Sequence, residues 1–187
     1  MIRSIARDAR RRTLIGAVAA LGTSALGALA ALPARAAEGT DALGVTHGAE
    51  SIHQEVLFAA SIQRVYRTLS NGAEFDRVVR ASDAFSSMKL GKARTFISRE
   101  VGGNYVAFGG YIQGRLVELV PSARIVVAWR TASWPAGVYS IARFELAAQG
   151  DSTLLVFDHS GFPNGEGAHL AEGWRVNYWE PMKKVLA

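Results

Sequence analysis

The chain contains no cysteine. That excludes disulfides, thiolate metal sites, thiol catalysis and a lipid-anchored N-terminal cysteine, so packing alone must hold the fold. Other chemical signatures are missing as well. No serine sits in a G-x-S-x-G elbow, and no phosphate loop is present. His47, His53, His159 and His169 are scattered, with no pair at i and i+4. No metal and no cofactor is therefore expected. The glycine pairs Gly102-Gly103 and Gly109-Gly110 read as hairpin turns. Lys183-Lys184 suits a helix C-terminus rather than a binding patch.

The N-terminus is rich where the rest is poor. Arg3, Arg7, Arg10, Arg11 and Arg12 precede an uncharged stretch from Leu14 to Leu32, and Ala34-Arg35-Ala36 follows as an A-x-A cleavage pattern. This predicts a secretory signal over residues 1–36. Arg11-Arg12-Thr13-Leu14-Ile15 fits the twin-arginine pattern, although its usual phenylalanine is absent and the general secretion route stays open. The apolar run is long enough for a membrane anchor but consists mostly of Ala and Gly, so its insertion would be weak. Cleavage after Ala36, a periplasmic or otherwise exported location, transient engagement of the twin-arginine translocase and no stable membrane insertion are the expectations.

Charge follows the same division. The whole chain has 21 Lys+Arg and 16 Asp+Glu, and removing residues 1–36 leaves fifteen of each. The basic balance belongs to the signal, so nucleic acid is not an expected partner. The remaining 151 residues suit one domain with its own core.

Residues 37–50 are small, polar and aperiodic and read as a linker, with a domain over residues 51–187. Ser51–Ala59 has strand character. Ser61 is placed to cap a short helix carrying Ile62, Val65, Tyr66 and Leu69 on one side. Asn71 with Glu74 gives a capping-box pattern for a second helix ending near Arg80. From Lys92 to His159 the signals are strand and turn, which predicts antiparallel hairpins. Leu170, Trp174, Tyr178, Met182 and Val185 then follow at helical spacing, with Pro181 expected to kink that helix.

This order resembles the helix-grip fold of the START-like (SRPBCC) superfamily, and within it the family named after the homologue of the heat-shock chaperone ATPase activator. The resemblance runs from about Ser51 to Leu186. It is carried by Ala60-Ser61-Ile62-Gln63-Arg64-Val65-Tyr66-Arg67-Thr68-Leu69, Val101-Gly102-Gly103, Gly114 to Trp129 with Pro121 at the turn, His159-Ser160-Gly161-Phe162 and Gly173-Trp174. Phe75 stands where this family usually has a tryptophan. The resemblance implies an α+β fold: a curved antiparallel sheet wrapped round a long C-terminal helix, two short helices after the first strand, and a ligand cavity between sheet and helix.

Strand alternation assigns the inner face. It places Ile125, Val127 and Trp129 inward in one strand, and Ala142, Phe144 and Leu146 in the next. The resemblance makes Leu155, Phe157 and His159 the inner face of the strand that follows, opposite Leu170, Trp174 and Tyr178. Asp158 points to the other face of its strand. Residues 92–100 and 111–120 show no clean alternation. Trp129, Phe144, Phe157, His159, Leu170, Trp174 and Tyr178 are thus the candidate ligand contacts, although inward aromatics usually just fill a core. His159 is a candidate general base, a ligand contact, or a core histidine satisfied by backbone or by a neighbour such as Tyr178. Without a carboxylate in reach, desolvation should keep it neutral.

Three functions remain. The first is an exported binding protein for a small hydrophobic or aromatic molecule, with no catalytic residue. The second is a polyketide cyclase or dehydratase using His159 or Tyr178 as acid–base. The third is co-chaperone action, which the export signal opposes because ATP is not expected outside the inner membrane.

Overall fold

The computed structural model describes residues 50–187. The expected export signal and all but the last residue of the expected linker lie outside the described residues. Among the described residues, no helix is long and apolar enough to cross a membrane.

Seven strands form one antiparallel sheet: β1 (Ser51–Phe58), β2 (Phe96–Ile97), β3 (Asn104–Ala107), β4 (Ile112–Val120), β5 (Arg124–Thr131), β6 (Ser140–Gln149) and β7 (Ser152–Ser160). Their order across the sheet is β1-β7-β6-β5-β4-β3-β2. Each consecutive pair from β2 to β7 is a hairpin neighbour, and β1 closes onto β7. The alternation in β5, β6 and β7 holds, for Ile125, Val127, Trp129, Ala142, Phe144, Leu146, Leu155, Phe157 and His159 are all buried. On the outer face Asp158 pairs with His53 at 2.7 Å.

The two unreadable strands have physical explanations. Within residues 92–100 only Phe96–Ile97 is strand. In β4 the register shifts between Leu116 and Glu118, which oppose Val127 and Val126. Val117 is thereby an extra residue, and a bulge flips the two-residue period of everything beyond it. Gly114, in the same strand, is required by close approach: a Cβ there would lie 2.5 Å from the Ala128 carbonyl oxygen.

The first two helices are α1 (Ile62–Ser70) and α2 (Gly72–Arg80). Ser61 occupies the cap position of α1 in an extended conformation, but its hydroxyl makes no capping hydrogen bond. Asn71 does cap α2, accepting from the Ala73 and Glu74 amides at 3.0 and 3.2 Å. The reciprocal half of the capping box is not made, because the Asn71 amide donates to Arg67 O and the Glu74 carboxylate binds Arg77. A third helix, α3 (Asp83–Ser87), was not anticipated. Asp76 of α2 secures the chain that follows it. Its carboxylate binds Arg80 at 2.7 Å and the Thr95 amide at 2.9 Å, and despite burial these contacts hold its pKa below the usual value.

The C-terminal helix is one continuous run of three parts: α4 (Gly167–Trp174), a π turn (Arg175–Trp179) and α5 (Glu180–Leu186). Pro181 has no amide hydrogen and its ring crowds the carbonyl four residues back, so an unbroken α-helix is costly there. The wider turn before it is where that misfit is absorbed. One consequence is a shift of the buried stripe. Leu170, Trp174, Tyr178 and Met182 are buried as expected, but Trp179 at the end of the turn and Leu186 join them while Val185 is only half-buried. The helix begins on Glu50, whose carboxylate accepts from the amides of Gly165 and Gly167 at 2.8 Å each and adds negative charge at the positive end of α4.

The structure is thus the expected α+β helix-grip arrangement, a curved antiparallel sheet against a long C-terminal helix with short helices after the first strand.

Candidate functional site

The inner face of β5, β6 and β7 meets the C-terminal helix in a dense aromatic cluster. Trp174 is at its centre. Its ring centroid lies 4.4 Å from Phe157, 4.2 Å from Tyr178 and 5.6 Å from Trp179, which it stacks on. Phe144 packs on Phe157 at 5.1 Å.

His159 sits in this cluster, fully buried. Its partners are not Tyr178 or backbone but two side chains: Nδ1 is 3.0 Å from Trp174 Nε1, and Nε2 is 2.7 Å from Ser140 Oγ. An indole nitrogen can only donate. Nδ1 is therefore the bare, accepting nitrogen and Nε2 carries the proton. That proton is given to Ser140 Oγ, whose own hydrogen goes to the Trp129 carbonyl oxygen at 2.9 Å. The chain Trp174 to His159 to Ser140 to Trp129 runs in one direction with every donor used. Although a serine hydroxyl beside an imidazole has the composition of a catalytic dyad, the lone pair that would take the serine proton is on the other side of the ring. Burial also pulls the His159 pKa down to about 4, so the ring stays neutral.

At the end of the cluster nearest α3, packing is incomplete. A partly open cleft of about 120 Å³ lies between α3, β4, β5 and the C-terminal helix, with a mostly apolar wall. Its volume approaches that of engineered apolar cavities that admit benzene, about 150 Å³. Of the candidate ligand contacts, Trp129, Leu170, Trp174 and Tyr178 line this cleft, whereas Phe144, Phe157 and His159 lie behind it in the filled core. Phe75 is buried against Tyr105 and Tyr178 and does not line the cleft. Two larger hollows, near Arg99 and near Lys183, are more open and include charged side chains in their walls, so the smaller cleft is the better-formed site.

Sequence reasoning missed several lining residues. Met88 follows the unanticipated α3. Ser82-Asp83 could have signalled that helix, as a cap residue followed by an acid in the first turn. Phe108 lines the cleft with φ +49°, at the start of a tight turn in which Gly109 and Gly110 are also left-handed. A buried aromatic held in that region carries backbone strain of about 1 kcal/mol. Gly173 also lines the cleft, and a Cβ there would meet nothing within 4 Å. Among the described residues, no three His, Asp or Glu side chains converge as metal ligands.

Comparison with known proteins agrees with this architecture. A mouse protein named activator of 90 kDa heat shock protein ATPase homolog 2 is 26% identical over 145 residues, covering 78% of this chain and 40% of that one. The chain thus spans two-fifths of that relative's length. An HSP90 activator from Plasmodium falciparum superposes with a TM-score of 0.63 at 19% identity, over 73% of this chain and 95% of that one. CalU16 from Micromonospora echinospora gives 0.58 at 19%, over 74% and 77%. At such identities the structural likenesses speak for the fold. Residues 59–187 match the family described as Activator of Hsp90 ATPase homolog 1-like protein, and it is to this family that the chain belongs.

Proposed function

We propose that this is an exported binding protein that holds a small hydrophobic or aromatic molecule in the cleft between the sheet and the C-terminal helix. The observation that carries the reading is the cleft itself, a roughly ring-sized apolar space at the end of an otherwise close-packed aromatic core. An acid–base role for His159, as a polyketide cyclase would need, is opposed by its committed lone pair and its neutral state.

Gly173→Leu tests the cleft without harming the fold. The new side chain projects into open space, and replacing a helical glycine favours the helix by about 0.5–1 kcal/mol. Titration with naphthalene should show uptake by the native protein and at least ten-fold weaker uptake by Gly173→Leu, with unfolding stability equal or higher. Equal uptake by both would reject the cleft as the site.

Export rests on the N-terminal pattern. The translocase reads guanidinium groups rather than charge alone, so changing Arg11 and Arg12 both to Lys should leave a full-length precursor in the cytoplasm. Normal export would point to the general secretion route, and a mature N-terminus other than Ala37 would move the cleavage site.

The family supports a lower-ranked reading, interaction with a heat-shock ATPase, since the mouse relative is named as an activator of one. This chain covers only two-fifths of that relative, and the export reading separates it from ATP. Stimulation of a 90 kDa heat-shock ATPase by the purified chain would promote this reading over ligand binding.

A further inference from the structure

Two polar atoms in the wall of the cleft stand apart from the rest of the core. Trp129 Nε1 and the Tyr178 hydroxyl are buried and have no hydrogen-bond partner among the described residues. Their side chains are only 3% and 4% exposed, and both line the cleft. Away from the cleft Thr95 Oγ1 is also unpaired, but the other two indoles of the aromatic cluster are not. Trp174 Nε1 donates to His159, and Trp179 Nε1 donates to Gln54 Oε1 at 2.6 Å. Leaving a buried donor unpaired forfeits its hydration with no return, so two such groups side by side in one wall are out of keeping with their surroundings.

The two groups are also neighbours. Burial drives the Tyr178 pKa well above its ordinary value, and the Trp129 N–H, directed at the phenol oxygen but short of full hydrogen-bond geometry, offsets part of that rise. The tyrosine therefore keeps its proton at any physiological pH. An indole N–H and a protonated phenol are then two donors carried by residues that line the same cleft. No Lys, Arg, Asp or Glu lines it, and His169 at its edge is exposed.

We infer that Trp129 and Tyr178 form a two-donor subsite for one uncharged acceptor oxygen, so that the molecule held in the cleft is an apolar or aromatic compound bearing a carbonyl group. This inference rests on the reading of the cleft as a binding site and specifies what it selects. A carboxylate fits less well, because the cleft has no cation to compensate a desolvated negative charge. A plain hydrocarbon fits less well because it would leave both donors unpaired, and sites built to donate hydrogen bonds discriminate strongly against analogues that cannot accept them.

The test compares acetophenone with α-methylstyrene, which have nearly the same shape and differ in a C=O against a C=CH2. Binding to the full mature chain is followed by the indole N–H signals in a proton–nitrogen correlation spectrum, with that of Trp129 identified by its absence in Trp129→Phe. Acetophenone is expected to bind roughly ten-fold tighter than α-methylstyrene and to move the Trp129 indole signal downfield, with benzoate weaker than acetophenone. In Tyr178→Phe the preference for acetophenone should shrink toward unity. Equal affinity of acetophenone and α-methylstyrene for the native chain would overturn the subsite while leaving the cleft a binding site. Binding of neither would overturn the binding reading and the subsite with it. The comparison on the native chain decides the matter even where a substituted chain fails to fold.

Discussion

Trp174→Ala should lower the unfolding free energy by about 4–5 kcal/mol, the upper end of the range for removing a large aromatic from a core. Trp174 is 2% exposed and contacts Phe144, Phe157, Tyr178 and Trp179, so little of its environment can collapse into the space it leaves. The substitution also strips His159 Nδ1 of its donor. The cleft touches only part of the indole, which makes Trp174 a core residue first and a cleft wall second. Urea unfolding measures the effect as a shift in midpoint at constant slope. Trp174→Phe, which keeps most of the ring contacts, should lose about half as much, on the order of 2 kcal/mol. A loss for Trp174→Ala of about 1 kcal/mol, the ordinary size of a point-mutation effect, would mean that the indole stands free in a larger cavity.

The second large effect is on acid stability. The folded-state pKa of His159 is about 4, below its ordinary 6.5, because burial disfavours the imidazolium. Between those values the unfolded chain binds a proton that the folded chain refuses, so stability falls as the pH drops from 6.5 toward 4 and is level above that window. A shift of this size corresponds to about 3 kcal/mol. The lowered carboxyls of Asp76 and Glu172 lose their contribution mainly below the ordinary carboxylate range. His53, raised by its bond to Asp158, has the opposite sign: its contribution is present below 6.5 and lost as the pH rises through its folded value, and its exposure keeps it small. In His159→Gln the amide can accept from Trp174 and donate to Ser140, so the cost at pH 7 should be small, ligand retention should persist, and the acid slope should flatten. An unchanged slope in that variant would assign the acid sensitivity to other groups.

The sheet was legible where its strands are regular. In β5, β6 and β7 one face is packed and the other solvated, so the two-residue period of side chains shows directly in the sequence. It failed in β4 because the bulge at Val117 reverses the phase midway, and nothing in Leu116-Val117-Glu118 marks that. The C-terminal helix behaved similarly. Leu170, Trp174 and Tyr178 lie on the buried face as their spacing predicts, but Pro181 was read as a bend, and its actual accommodation by a wider turn moves the stripe from Val185 to Leu186. The candidate site was half legible. Alternation finds residues that face inward, and Phe144, Phe157 and His159 do so, but it has no information on where inward-facing groups leave a gap. That depends on α3, on the left-handed Phe108 and on the missing side chain of Gly173, three features that come from different parts of the chain.

The directed hydrogen bonds from Trp174 through His159 and Ser140 to the Trp129 carbonyl tie the Trp174 indole to the backbone of the strand that carries Trp129, and both residues line the cleft. Their rings are in direct contact, with centroids 5.5 Å apart, and the strut between helix and strand has a single proton arrangement with no spare donor or acceptor for sliding. A wall braced in this way is set during folding, so under the binding proposal ordering it would cost an incoming molecule little.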